Sequence, residues 1–159
     1  MSTNKCLFCN ISRGDDEKTA LLHKDESMVV FRDIKPATPH HYLVTTKEHI
    51  SDAKQLTAQH ISLVEKMVEV GKEVVAQQGG DVNDLRLGFH WPPFHMISHL
   101  HLHVISSTNQ MGWIAKGIFL PNSYWFVNVD WVLNRIRGME EKLQSPTALA
   151  QATDSCDSG

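Results

Sequence analysis

The sequence lacks several features that define whole classes of protein. It has no run approaching the roughly 18 apolar residues of a membrane-spanning helix. Its N-terminal segment MSTNKCLFC has no long apolar core behind basic residues, which a secretory signal peptide would require. We therefore expect a chain that neither crosses a membrane nor enters the secretory pathway.

Cysteine is scarce, and the three that occur, Cys6, Cys9 and Cys156, are an odd number. A disulfide framework is thus a poor explanation for them, and a reducing compartment is favoured. We expect a cytoplasmic location, with the nucleus as a second one. Cys6 and Cys9 form a CxxC motif, which by itself fits zinc binding, redox chemistry or chance. Redox chemistry is the weaker interpretation, because no strand is predicted before the motif.

Neither sign of charge dominates the body of the chain. The sequence has 15 Lys and Arg against 18 Asp and Glu, a net charge of −3. Residues 139–159 hold four acids and one base, which is also −3, so the remainder is formally neutral. A neutral body argues against an extended nucleic acid as partner, although a pocket for one phosphate is compatible with it.

Histidine, by contrast, is abundant, since ten His stand against nine Gly. This side chain serves as proton carrier, nucleophile or metal ligand near neutral pH, so the surplus indicates histidine chemistry. The length of 159 residues and the apolar fraction of 42% are typical of one globular domain.

The apolar pattern predicts two helices and five strands. Apolar residues recur at spacings of three and four between residues 57 and 78, which predicts a long helix that Gly79 and Gly80 end. A second helical pattern covers residues 128–143. Short segments with β-branched and aromatic residues predict strands at residues 20–23, 28–32, 41–45, 85–90 and 100–106.

The segment SHLHLHVI at residues 98–105 contains the candidate catalytic or metal-binding histidines. Strand side chains alternate between faces, so His99, His101 and His103 share one face, at a spacing of roughly 7 Å. The opposite face carries Leu100, Leu102 and Val104. Crowding three imidazoles works against their protonation, so a purely structural role is disfavoured. Metal binding and nucleophilic catalysis both fit, and the absence of Asp and Glu from residues 90–110 favours the second.

These residues resemble the HφHφHφφ signature of the histidine triad superfamily of nucleotide hydrolases and transferases, where φ is apolar. The resemblance extends over residues 5–108, through the blocks CLFC at 6–9, FRDIKP at 31–36, HYLV at 41–44 and KEHI at 47–50. The blocks RLGFH at 86–90, WPPF at 91–94 and NSYWF at 122–126 are similar to a monophosphoramidase branch that lies near aprataxin. The resemblance implies an α+β fold in which a long helix packs on an antiparallel sheet of about five strands.

The resemblance also assigns roles in catalysis, for which no cofactor is required. His101 would be the nucleophile that attacks the α-phosphorus of an AMP derivative. His103 would bind the phosphate oxygens, and His99 would help to orient the row. His41 matches the fourth histidine of the family, which contacts the ring of the nucleophile. Backbone around His101 would hold the nitrogen that does not attack.

The nucleotide-binding positions implied by the resemblance suit a purine nucleoside monophosphate. Asp33 matches the ribose-binding acid, whose carboxylate can accept from both sugar hydroxyls. The apolar positions of the base pocket could equally be core residues, and His90 and Ser98 complete the predicted set. These apolar positions are Phe8, Phe31, Ile34 and Leu43.

Two positions depart from the family pattern. Met96 stands where a serine often contacts the leaving group, and its side chain cannot donate a hydrogen bond. His90 stands where the founding branch has an asparagine. His95 or Ser98 could take over the role of the missing serine.

Some members of the superfamily use the CxxC motif in a structural zinc site. The matching positions here are Cys6, Cys9, His49 and His99, a closed set of two thiolates and two imidazoles. The resemblance therefore implies a structural zinc in addition to the triad.

The leading hypothesis is a hydrolase of AMP phosphoramidates that also cleaves aminoacyl-adenylates such as lysyl-AMP. The alternatives are aprataxin-like removal of AMP from DNA ends and a nucleotide-binding scaffold with weak catalysis. We expect a histidine triad domain at residues 5–108, an extension at 109–138 that packs on it, and a disordered acidic tail at 139–159. The family implies a homodimer or a higher homo-oligomer.

Overall fold

A computed structural model describes residues 6–145, and its sheet contains six antiparallel strands. Their order across the sheet is 1-2-3-5-4-6 in the numbering of the chain. The α+β architecture with a long helix on an antiparallel sheet is confirmed, with one strand more than expected. The strands are β1 (Leu21–Lys24), β2 (Met28–Arg32), β3 (His40–Thr46), β4 (Leu85–His90), β5 (His101–Ser106) and β6 (Phe126–Asn128).

Four helices accompany the sheet: α1 (Leu7–Arg13), α2 (Ile61–Gln77), α3 (Trp113–Ile118) and α4 (Val129–Gln144). The long predicted helix is α2, and it starts later than expected because a 3₁₀ turn at Ala58–His60 precedes it. The short helices α1 and α3 were not predicted, since six or seven residues hold too little periodicity to recognise. None of the described helices is both long and apolar enough to cross a membrane.

One face of the sheet packs against α2 and carries the main core. Leu102 and Val104 of β5 are fully buried there, as the alternation predicts, together with apolar residues of α2. Gly71 permits this close approach, because a Cβ at that position would lie 2.7 Å from Cγ2 of Val104. Each such buried aliphatic side chain contributes about 1.5–3 kcal/mol to folding.

The opposite face carries the histidines between two smaller apolar clusters. The first joins α1 to the sheet, and its buried members are Phe8, Ile11, Val29, Phe31 and Leu43. The second joins the segment after β5 to the sheet, and its buried members are Ile105, Met111, Phe119 and Phe126. The face that carries the histidines is therefore bordered by α1 on one side and by the segment after β5 on the other, and these two segments lie far apart in sequence.

The extension after residue 108 is an integral part of this fold. Its strand β6 pairs with β4, and the registered partners include Gly88 with Asn128 and His90 with Phe126. Helix α4 continues to Gln144, so the boundary expected at residue 138 falls inside a helix and not at the start of a tail. Residues 146–159 of the expected tail lie outside the described part of the chain.

Candidate active site and metal centre

Strand β5 presents His101 and His103 on the same face of the sheet, as predicted. Their ring centroids are 5.0 Å apart, closer than the roughly 7 Å expected from strand rise alone. Side chains lean along a strand, which accounts for the difference. His99 precedes the strand, and its imidazole lies in a different cluster of side chains.

The ring of His101 is held in one orientation by its own backbone neighbour. Its Nδ1–H donates to the carbonyl oxygen of His99 at 2.6 Å, so the lone pair remains on Nε2. Burial lowers the pKa of His101 to about 4, which keeps the ring neutral near pH 7. The edge of the Phe8 ring packs on it at a centroid distance of 5.0 Å. His101 is thus a neutral imidazole with an available Nε2 before any substrate binds.

The rings of His41, His103 and His90 form a hydrogen-bonded chain. Backbone groups at its two ends determine which nitrogen of each ring carries the proton. The backbone N–H of Ala37 donates to Nδ1 of His41 at 2.9 Å, so the proton of His41 is on Nε2. That Nε2–H faces Nδ1 of His103 at 2.9 Å, and Nε2 of His103 faces Nδ1 of His90 at 3.1 Å. Nε2–H of His90 then donates to the carbonyl oxygen of Ile118 at 3.3 Å. Each ring therefore donates to the next, and all three are neutral.

Burial keeps this chain of imidazoles uncharged. It lowers the pKa of His41 to about 4, and it lowers the pKa values of His103 and His90 as well. The structure corrects one predicted contact. His41 bonds to His103 and not to His101, because the Ala37 N–H turns its donor toward His103. Nε2 of His103, which is predicted to bind phosphate oxygens, bonds to Nδ1 of His90 in this structure.

Asp33 lies at the edge of this chain. Its Oδ1 accepts the backbone N–H of Lys35 at 2.8 Å, and its Oδ2 lies 3.4 Å from Nε2 of His41. Burial raises the pKa of the Asp33 carboxyl. Because Nε2 of His41 carries a proton, Asp33, His41 and His103 do not form a metal site although their polar atoms lie close together.

The predicted base-pocket residues separate into two groups. Phe8, Phe31 and Leu43 pack together in the cluster of α1, where Phe8 also contacts His101. Ile34 is 94% exposed and takes no part in that cluster. The apolar wall beside the nucleophile is therefore made by the first three.

Three residues of the extension complete the site, and sequence reasoning missed their roles. Phe119 packs on the rings of His41, His90 and His103 at centroid distances of 5.1–5.2 Å, and Phe126 packs on His90 at 5.2 Å. The carbonyl of Ile118 is the end of the hydrogen-bonded chain. The only signal in the sequence was the high aromatic content after residue 112.

Met96 and Ser98 are exposed residues of the loop that precedes His99. Met96 is 95% exposed. Ser98 is bonded to His95, with 3.0 Å between its Oγ and Nε2 of the ring. A small cavity beside His101 is lined by Ser51, Asp52, His90, His95 and His101, among others.

A second constellation, the CxxC cluster, consists of Cys6, Cys9, His49 and His99, and could hold a metal ion. Its four ligand atoms lie within 4.8 Å of one another. Nε2–H of His99 donates to the carbonyl oxygen of Thr46 at 2.6 Å, which leaves the lone pair of Nδ1 facing the thiols. Burial lowers the pKa of His99, so its ring is neutral, and burial raises the pKa of the Cys9 thiol.

The start of α1 brings the two cysteines of this cluster to one point. Sγ of Cys6 caps the helix by accepting the N–H of Cys9 at 3.4 Å, and Gly14 ends the helix with a φ of 87°. This single helical turn places both sulfurs beside the ring of His99. All four predicted metal-site residues are therefore together, although they come from three separate segments of the chain.

Comparisons with known proteins agree with this geometry. The family model for the C-terminal binding region of the scavenger mRNA decapping enzyme matches residues 5–118. Adenosine 5'-monophosphoramidase HINT3 of Xenopus tropicalis is 44% identical over 83% of this chain and 87% of its own length. Aprataxin of Gallus gallus is 40% identical, over only 54% of this chain and 27% of its own.

The fold also matches solved structures. The HIT family hydrolase from Legionella pneumophila Philadelphia 1 superimposes with a TM-score of 0.62 at 28% sequence identity. The match covers 69% of this chain and 97% of that one. The similarity therefore spans nearly the whole of that neighbour, and most of the unmatched residues belong to this chain.

Proposed function

This chain belongs to the histidine triad superfamily, and we propose that it hydrolyses AMP phosphoramidates through a covalent intermediate on His101. The observation that carries the proposal is the neutral ring of His101, whose Nδ1–H is bound by the His99 carbonyl and whose Nε2 is therefore a lone pair. The relative from Xenopus tropicalis, which matches most of this chain, is named for adenosine 5'-monophosphoramidase activity, and this supports the same substrate class.

The reaction divides into two displacements at phosphorus. In the first, Nε2 of His101 forms a bond to the α-phosphorus while the bond from phosphorus to the amine nitrogen breaks. The ring then carries a positive charge, which the His99 carbonyl stabilises through the Nδ1–H bond. In the second, water attacks the phosphorus, AMP leaves, and His101 returns to its neutral state.

The surrounding residues bind the nucleotide. His103 is placed to donate its Nε2–H to a phosphate oxygen in exchange for the bond to His90, and the Ala37–His41 contact sets the tautomer that makes this donation feasible. Asp33 has an oxygen for the ribose hydroxyls, since only Oδ1 is held by the backbone. The wall of Phe8, Phe31 and Leu43, with Ile34 at its exposed rim, offers an apolar surface to the purine.

We propose that the CxxC cluster holds a structural zinc ion and that catalysis itself requires no cofactor. Tetrahedral zinc with its usual bond lengths places two nitrogens about 3.3 Å apart, and a sulfur and a nitrogen about 3.5 Å apart. The Nδ1 atoms of His49 and His99 are 3.2 Å apart. The sulfur-to-nitrogen distances are 3.3–3.5 Å. Two cysteines and two histidines form a closed ligand set, which suits a structural ion.

We further propose a cytoplasmic and nuclear homodimer. Cys6 and Cys9 form no disulfide although both sulfurs lie within 3.5 Å of Nδ1 of His99, which suits a reducing compartment. Exposed apolar side chains in the extension, including Trp113 and Tyr124, offer a surface to a second copy. Light scattering tests the dimer and cell fractionation tests the location, and a monomer at micromolar concentration would contradict the first.

The function is tested with a panel of purified substrates. Wild-type protein is compared on adenosine 5'-monophosphoramidate, lysyl-AMP, a diadenosine polyphosphate and adenylated DNA, and kcat/KM is measured for each. We expect the phosphoramidate to be the best substrate, followed by lysyl-AMP. Preference for adenylated DNA would favour an aprataxin-like activity, and no turnover of any substrate would favour a binding scaffold.

A further inference from the structure

We propose that His95, positioned by Ser98, donates the proton that the departing amine requires. The inference rests on the proposed function, because it concerns the leaving group of that reaction. It assigns a function to a loop that the mechanism above does not use. It also addresses the position of Met96, where this chain has no hydroxyl to offer.

The chemistry of the substrate creates the need for such a donor. An amine cannot leave phosphorus as its anion, so the nitrogen must gain a proton as the bond breaks. A second displacement by water needs the reverse transfer, from water to the same group. The donor must therefore lie beside His101 and be able to both give and take a proton.

The ring N–H groups closest to the nucleophile are already committed. Nδ1–H of His101 is bound by the His99 carbonyl, and Nε2–H of His103 is bound by His90. Nε2–H of His90 is in turn bound by the Ile118 carbonyl. If Nε2–H of His103 exchanges its bond to His90 for one to a phosphate oxygen, that proton is again engaged. None of these three rings is free to serve the leaving group.

His95 differs from them in having a nitrogen without a partner. Its ring lines the same cavity as His101, and its Nε2 lies 3.0 Å from Oγ of Ser98. Its Nδ1 is buried and makes no hydrogen bond within residues 6–145. A buried ring nitrogen without a partner is costly unless a ligand supplies one. The substrate nitrogen is such a partner.

The transfer balances over the two steps. In the first, imidazolium His95 gives its Nδ1 proton to the leaving nitrogen, which keeps the electron pair of the broken bond, and His95 becomes neutral. In the second, Nδ1 takes a proton from the attacking water as its oxygen bonds to phosphorus and the bond to His101 breaks. Throughout, Oγ of Ser98 accepts Nε2–H and holds the ring in place.

Leaving groups of different basicity separate this role from a structural one. We compare kcat/KM for adenosine 5'-monophosphoramidate with that for the p-nitrophenyl ester of AMP, whose phenolate leaves without a proton. Because kcat/KM reports only the steps up to departure of the leaving group, the shared second displacement does not enter the comparison. The variants are His95→Ala and Ser98→Ala. Ser62→Ala removes a hydroxyl from the exposed surface of α2, outside the site, and is the matched control.

We expect His95→Ala to lose about 100-fold or more on the phosphoramidate and less than about fivefold on the ester. Ser98→Ala should lose about fivefold on the phosphoramidate alone, since it removes one orienting hydrogen bond. Ser62→Ala should resemble wild type. Turnover of the ester also shows that each variant is folded, and His95→Gln replaces His95→Ala if the latter is not.

Equal losses on both substrates would overturn the proposal, because they would show a structural role for His95. Undiminished phosphoramidate turnover by folded His95→Ala or His95→Gln would overturn it as well. Failure of wild-type protein on both substrates would instead refute the proposed function. The two failures are thus distinct.

Discussion

The backbone carbonyl of His99 accepts Nδ1–H of His101 at 2.6 Å, while the ring of the same His99 turns Nδ1 to within 3.4–3.5 Å of the sulfurs of Cys6 and Cys9. One residue therefore touches the nucleophile through its backbone and the CxxC cluster through its side chain. Helix α1 provides a second link, because Cys9 is adjacent to Phe8, whose ring packs on His101. His99 and α1 therefore connect the CxxC cluster to the nucleophile.

Loss of metal from the CxxC cluster should lower the stability of the protein as well as its zinc content, because binding of a structural zinc contributes to the free energy of folding. Wild-type protein prepared without chelators should carry about one zinc per chain. Cys9→Ser should carry little, and its melting temperature should fall by about 10 °C or more. Cys156→Ser is the matched control and should retain both properties. Equal zinc in the Cys9→Ser and wild-type proteins would contradict the assignment, as would wild-type protein without zinc.

Replacement of the nucleophile should abolish hydrolysis without unfolding the protein. His101→Ala removes Nε2, and we expect kcat/KM for adenosine 5'-monophosphoramidate to fall by about 10⁴-fold or more. His40→Gln is the control, since His40 bonds to the hydroxyl of Tyr42 and not to the catalytic chain. Circular dichroism verifies that both variants are folded. Turnover by His101→Ala close to the wild-type rate would refute the mechanism.

Acidification should destabilise the protein over a defined range of pH. His41 and His101 have folded-state pKa values of about 4, against an ordinary value of 6.5. Between these values the unfolded chain binds more protons than the folded one, so the stability present above pH 6.5 is lost as the pH falls toward 4. Each group contributes up to about 1.4 kcal/mol per pH unit to the free energy of unfolding.

Urea unfolding at about pH 7 and about pH 5 measures this loss. His41→Gln removes one of the rings whose pKa is lowered by burial, so its stability should depend less steeply on pH than that of the wild type. A wild-type free energy of unfolding that is constant across this range would show that the imidazoles are not held neutral by burial.

The pairing of β6 with β4 depends on a glycine. A Cβ at Gly88 would lie 2.5 Å from the carbonyl oxygen of Val127 and 2.6 Å from the ring of Phe126. Gly88→Ala should therefore push β6 away, with a loss of about 2 kcal/mol or more in stability and a fall in activity, because Phe126 packs on His90.

Gly138 provides the matched comparison for that substitution. It lies within α4, and a Cβ there would meet nothing within 4 Å. Gly138→Ala should raise stability by about 0.5–1 kcal/mol, because alanine is the better helix former. Thermal melts of both variants test the pair. Equal stability of Gly88→Ala and wild type would show that β6 is not held against β4.

Several parts of this protein follow from the sequence alone, because they depend on local covalent geometry. The period of two in residues 99–104 separates the histidines from Leu102 and Val104, and the spacing of three and four defines α2. The periods of the strand and of the helix can be recognised in the sequence because they depend only on residues that are near neighbours along the chain. The four members of the CxxC cluster came instead from the resemblance that the ordered blocks around the triad bear to the family, and the structure places them together.

Tertiary structure alone decided which groups meet at the site. The Ala37 N–H and the Ile118 carbonyl fix the tautomers of three imidazoles between them, yet neither backbone group has a signature in the sequence. Phe119 packs on the same rings. The sequence showed that its segment is rich in aromatic residues but did not indicate which of them would contact the site. Such long-range contacts depend on the shape and polarity of surfaces that are far apart in the chain. Local periodicity in the sequence therefore does not predict them.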